Sequence, residues 1–167
     1  MSMLVDVSYF ISGPRQIRNA TTAKMPTAEG LSANNVIYGY IRSFQRKFLN
    51  DVVGFTLAGQ ITDYLEIIEN ESPKTENDTV SPYEYVCRQL RESFADYVFY
   101  HILRDMNTDA TVTGLIQLKS SNKHVSPLQR QVSTWNTMVE RNKQFVCWAS
   151  SDECPFKAVS YTHLRAH

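Results

Sequence analysis

The stretch Ser81-Pro82-Tyr83-Glu84-Tyr85-Val86-Cys87-Arg88-Gln89-Leu90-Arg91-Glu92-Ser93-Phe94-Ala95-Asp96-Tyr97-Val98-Phe99-Tyr100-His101-Ile102-Leu103-Arg104 decides the fold class. It opens with a serine suited to an N-cap, a proline at the first helical position and a glutamate at the third, which together start a helix strongly. Val86, Leu90, Phe94, Tyr97, Val98 and Ile102 then recur at steps of three and four, so they share one face of a helix running to about Arg104. Its longest apolar run, Tyr97 to Leu103, contains His101 and is far too short to cross a bilayer.

Upstream, residues 69–81 form an acidic linker whose single apolar residue, Val80, gives it no face to bury. Before it, Ile37, Ile41, Phe44, Phe48 and Val52 mark a helix over about Ala33 to Val52, with Arg42, Arg46 and Lys47 off its stripe. Gly54 suits its C-terminal stop. A shorter second helix follows, with Leu57, Ile61, Tyr64, Leu65 and Ile68 on its apolar side. Residues 1–31, punctuated by Gly13-Pro14, Pro26 and Gly30, read as an irregular arm with at most one short strand over Leu4 to Ile11.

Downstream of Arg104 the period changes. Thr111-Val112-Thr113-Gly114-Leu115-Ile116-Gln117-Leu118 is rich in β-formers around a central glycine, which suggests a short β-hairpin or extended finger within residues 105–125. Ser126-Pro127 opens a last helix to Ala149, with Leu128, Val132, Trp135, Val139, Asn142, Val146 and Ala149 as its stripe. The expected architecture is mainly α: a bundle of about four helices, a β-hairpin or extended finger, and irregular terminal arms, in one domain over residues 1–158.

The chain has 167 residues, 17 Lys+Arg against 17 Asp+Glu, and 43% hydrophobic residues. That is enough for one core and far too apolar for a disordered chain. Zero net charge argues against a protein that coats nucleic acid, because phosphate affinity needs clustered cations. The charge is uneven, at +3 over residues 1–60, −6 over 61–84 and +3 over 85–167. An acidic segment between mildly basic halves suits head-to-tail association of copies, although a solvated charged loop explains it as well. Cys87, Cys147 and Cys154 are an odd set without C-x-x-C spacing, as expected of reduced thiols. The first ten residues contain no basic side chain and carry Asp6, unlike a signal peptide, so the chain is expected to be soluble and intracellular when made. Asn19, Asn70 and Asn77 begin N-x-S/T triplets that matter only in a secreted protein.

A search for catalytic chemistry finds little. His101 and His124 have no partner at ligand spacing, and Cys147 and Cys154 lack a second pair upstream. Cys87 and His101 return to nearly the same helix face, but the rise separates them by about 21 Å; Cys87 is expected to be a buried filler. Gly54 and Gly59 have the spacing of a P-loop, yet Gln60 and Ile61 stand where lysine and Ser/Thr are needed. Glu92 and Asp96 lie at i and i+4, with Arg88 and Arg91 a turn earlier, and read as a solvated ion-paired face. No enzyme, cofactor or metal is expected.

Several segments taken together resemble a known family: Phe48-Leu49-Asn50-Asp51-Val52-Val53-Gly54, the helix through Leu90-Arg91-Glu92-Ser93-Phe94-Ala95-Asp96-Tyr97, the T-x-T-G-L finger, and a last long helix with a central Trp. Over about residues 4–156 the chain resembles head-tail connector (adaptor, or neck) proteins of tailed bacteriophages of gut bacteria. The resemblance implies a structural virion protein at the head–tail interface, made in the host cytoplasm. It further implies a ring of about twelve copies beneath the portal protein, joined to a tail or stopper protein. DNA would pass through its channel without sequence-specific binding, and no membrane is involved. A neutral lumen suits that passage, since a strongly basic one would grip DNA. On this reading Thr111, Val112, Thr113, Gly114, Leu115 and Ile116 are channel or inter-ring residues, or else merely cover the bundle end. Arg15, Arg18, Trp148 and Phe156 are candidate subunit or portal contacts, the two aromatics having a core-capping role as the plainer alternative. Other phage assembly or tail-completion factors, and a helical DNA-binding regulator, are the competing expectations. Residues 159–167 resemble a translated sequencing adapter, and no function is assigned to His163 or His167.

Overall fold

The computed structural model describes residues 2–70, 80–106, 108–111, 114–117 and 127–156. Two 3₁₀ turns, Val7–Phe10 and Gly13–Arg15, precede α1 (Ala28–Asn70) and α2 (Pro82–Met106). Strands β1 (Thr108–Thr111) and β2 (Gly114–Gln117) and helix α3 (Pro127–Ala149) follow. The protein is mainly helical, as its periodicities imply. The described helices number three, however, and not four.

The two helical segments expected on either side of Gly54 are both present, and they meet at a kink within one continuous 43-residue span. Gly54 adopts φ 79° and ψ 162°, a region open essentially to glycine alone, but the chain resumes helical geometry at once. The glycine therefore kinks α1 without ending it. The helix also starts earlier than about Ala33. The Thr27 hydroxyl accepts from the Gly30 amide at 3.2 Å and the Thr27 carbonyl from the Leu31 amide at 2.8 Å, so Thr27 caps the first turn. Gly30 sits inside that turn, and the expected arm is shorter by the same margin.

Residues 4–10 of the arm contribute to the core. Leu4, Val5, Val7 and Phe10 are buried, and no strand forms over Leu4 to Ile11. The Ser8 amide donates to Asp6 Oδ1 at 2.8 Å, which winds Val7–Phe10 into its 3₁₀ turn instead. Buried Gln45 of α1 anchors the segment by accepting from the Leu4 amide (2.7 Å) and donating to the Ser2 carbonyl (2.9 Å). These bonds satisfy backbone groups that burial would otherwise leave unpaired.

Helix α2 runs between α1 and α3. Every residue from Ser93 to Phe99 is buried, as befits a helix covered on more than one side. Its expected stripe is buried throughout, and Ile37, Ile41, Phe48 and Val52 of α1 are buried with it. Phe48 packs its ring against Phe94 at 5.1 Å and Tyr97 at 5.4 Å. Each such side chain contributes about 1.5–3 kcal/mol on burial. Ile68, near the α1 terminus, is exposed.

Helix α3 has the expected bounds, but the N-terminal half of its expected stripe stays outside. Met138, Phe145 and Ala149 are buried, whereas Leu128, Val132 and Trp135 are 65%, 51% and 40% exposed. The expected stripe therefore holds only toward the C-terminus, where Ala149 is buried and Val139, Asn142 and Val146 are half-buried, while Met138 and Phe145 beside them are the larger buried side chains. Polar partners on α2 hold this half: Arg141 reaches Asp96 and Asn142 accepts from the Ser93 hydroxyl.

Between α2 and α3, β1 and β2 run antiparallel, with Thr108 opposite Gln117 and Thr111 opposite Gly114. Within the expected 105–125 segment, Asp105 and Met106 still belong to α2, while Val112 and Thr113 lie outside the described residues. So do most of the acidic linker, from 71 to 79, and the chain after Phe156, including 159–167. Residues 69 and 70 of the expected linker close α1.

Candidate functional site

Three features stand out on the packed helices: a charged cluster binding the N-terminal segment, a buried histidine, and an apolar face left outside.

The charged cluster corrects the expectation of a solvated Glu92–Asp96 face. Asp96 is only 4% exposed, because it lies where α2 meets both α3 and the Gly13–Arg15 turn. Arg15 Nη1 donates to Asp96 Oδ1 at 3.0 Å and to the Glu92 carbonyl at 3.1 Å, and Arg15 Nη2 donates to Glu92 Oε2 at 2.5 Å. Arg141 of α3 pairs with the other Asp96 oxygen. Burial raises the Asp96 pKa above the usual carboxylate value, and the two guanidiniums only partly offset it. Arg88 and Arg91, the partners expected from spacing, pair with Glu84 instead, at 3.1 and 3.0 Å. The cluster joins three segments, α2, α3 and the Gly13–Arg15 turn, through partnered groups.

His101 is 7% exposed and stacks on Phe44 at 3.9 Å, with neither ring nitrogen hydrogen-bonded among the described residues. Desolvation lowers its pKa to about 4, with Arg104 adding to the effect. Cys87 is fully buried, as expected of a filler, and burial pushes its thiol up to about 12. Among the described residues, no three His, Cys, Asp or Glu side chains gather as a metal site would require, and no helix is long and apolar enough to cross a membrane.

The apolar face runs along the N-terminal half of α3. Leu128 and Val132 form a shallow surface with Gln129, Ser133, Asn136, Thr137 and Glu140. Trp135 continues it, its ring lying 4.8 Å from Tyr100. On α1, a groove beside the Gly54 kink has Leu49 and Ala58 in its floor and Arg46, Asp63 and Glu66 on its walls, and Phe55 stands 80% exposed at its edge.

The residues singled out in the sequence are scattered over these features. Arg15 is spent on Glu92 and Asp96 within the chain. Arg18 is exposed. Trp148 packs beside Phe145 at 5.9 Å, and Phe156 sits 5.2 Å from Tyr83, so both aromatics cap their own core. Thr111, Gly114, Leu115 and Ile116 occupy the β1–β2 pair. The Leu128–Trp135 face was missed because its residues have the spacing of a core stripe. Its only warning in the sequence is Met138 and Phe145, which fit a competing stripe. Comparison with protein-family models, with curated proteins and with solved structures finds no match to this chain, so its role is argued from its own residues.

Proposed function

We propose that the protein is a non-catalytic structural component of a tailed-phage neck, a head-tail connector that assembles as a ring between the portal and tail or stopper proteins. The observation that carries the reading is the exposed Leu128–Val132–Trp135 face on a chain whose core is already filled. A lone chain gains nothing from placing large apolar side chains in water, whereas a subunit buries them against a neighbour. The family-like segments and the neutral overall charge support the same reading, since a neutral lumen does not hold DNA. In such a ring the β1–β2 segment, with Thr111 to Ile116, is the part assigned to the channel or the adjoining ring.

Quantitative mass spectrometry of purified virions, with the portal protein as internal standard, tests this. A copy number close to the portal's is expected. Absence from mature particles overturns the reading and leaves an assembly factor or regulator. Recombinant protein carrying Leu128→Ser and Val132→Ser should keep its helical circular dichroism and lose binding to the portal ring; retained binding would move the contact elsewhere.

A further inference from the structure

His101 stands where α2 meets both of its neighbours. Its ring lies almost parallel to Phe44 of α1, with 11° between the planes, and meets Tyr97 and Tyr100 edge-on at 4.6 and 5.3 Å. Trp135 of α3 closes behind the two tyrosines at 6.4 and 4.8 Å. This end of α2 leads directly into β1.

A neutral imidazole carries one donor and one acceptor, and here both ring nitrogens are buried without a partner among the described residues. Leaving both unmade is costly in a buried site. A phenyl ring would fill the same cage without that cost, so packing alone does not account for a histidine. We propose that His101 is a proton-operated latch: in acid its ring takes up a proton, and the aromatic contacts that hold α1 and α3 to this end of α2 loosen.

The surroundings set the direction. From α2 itself, Arg104 opposes a second positive charge, while Asp105 favours one. Asp105 is already engaged, accepting from Arg104 at 2.8 Å and from the Tyr40 hydroxyl of α1 at 3.0 Å. Lys47 of α1 adds to the opposition. From α3, this end of α2 meets Gln131, which donates to the Leu103 carbonyl at 3.0 Å, and Trp135, neither of which titrates. It also meets the Arg130 guanidinium, which lies over the Phe99 ring at 4.8 Å and whose positive charge likewise opposes a second one. The Phe44 face offers some cation–π attraction; the largest influence on the ring is loss of solvent, which opposes the charge. With the folded value near 4 and the ordinary one at 6.5, the unfolded chain binds the proton more readily. The latch is fully closed above about pH 6.5, and its contribution is lost as pH falls through 4.

The test compares the intact protein with His101→Phe, which keeps an aromatic ring and cannot titrate. Between pH 7.5 and 4.0 the folding equilibrium constant of the intact protein, from urea melts, should fall about 150-fold more than that of the variant. Parallel pH profiles overturn the proposal. NMR of the intact protein decides the matter even if the variant does not fold. The His101 ring should titrate near pH 4, with the Trp135 indole and Phe44 ring signals shifting in step. A midpoint near 6.5, or a low midpoint that Trp135 and Phe44 do not follow, overturns it. The inference rests on the cage geometry and stands apart from the connector reading.

Discussion

Replacing Asp96 by alanine tests the packing of the whole N-terminal half. Its side chain is 6% exposed and answers Arg15, itself 14% exposed, and Arg141, 34% exposed. Removing one member of a buried ion pair costs about 3–5 kcal/mol, because the surviving charge is left in a poor solvent. Here the lower end applies. Arg141 reaches water, and Arg15 keeps Glu92, which is 48% exposed. A loss of about 3 kcal/mol is expected, which for a chain of this size lowers the melting temperature by about 6–12 °C. Urea denaturation followed by far-ultraviolet circular dichroism measures it at neutral pH. Because burial already disfavours the ionised carboxylate, the apolar triple replacement Arg15→Met, Asp96→Leu, Arg141→Met should recover most of the loss. An alanine variant within about 1 kcal/mol of the parent would place the cluster in water and refute the argument.

The Gly54 backbone gives a second prediction. Gly54→Ala should destabilise the protein by about 1–3 kcal/mol through strain alone, since a Cβ there meets nothing within 4 Å. Gly59→Ala, in open space within the same helix, should stabilise by about 0.5–1 kcal/mol, and equal effects in thermal melts would contradict the kink. Thiol labelling under native conditions should show Cys147 reacting fast, with Cys87 and Cys154 protected until the chain unfolds. Tyrosine absorbance should reveal Tyr40 and Tyr64 ionising near pH 12, late because of burial and their bonds to Asp105 and Glu84. The stability tied to their neutral form is then complete below pH 10 and lost as pH rises through 12.

Helix positions were legible in the sequence because Ser-Pro starts and threefold–fourfold spacing are local signals. The α2 stripe and the α3 bounds needed nothing more. The sense of Gly54 was not legible, since a glycine between two apolar stripes has the same sequence whether it stops a helix or bends it. The orientation of α3 was hidden for a different reason. Leu128, Val132 and Trp135 compete with Met138 and Phe145 for the inward side, and Arg141, whose partner Asp96 lies on another helix, favours the second set. Asp96 was misread on the same ground: i, i+4 spacing identifies neighbours on its own helix, but Arg15 comes from 81 residues away. A surface of this kind has no chemical motif, so an exposed apolar face reads in sequence like ordinary core.

Because α2 lies between α1 and α3, its two sides are covered at different moments of synthesis. As the ribosome delivers the chain, α1 is already available when α2 emerges, whereas Met138, Phe145 and Ala149 are still unmade or inside the exit tunnel. The nascent protein therefore passes through an interval with one side of its central helix bare. Termination or stalling before α3 leaves a fragment that is rich in helix yet prone to aggregate, a natural client for ribosome-bound chaperones.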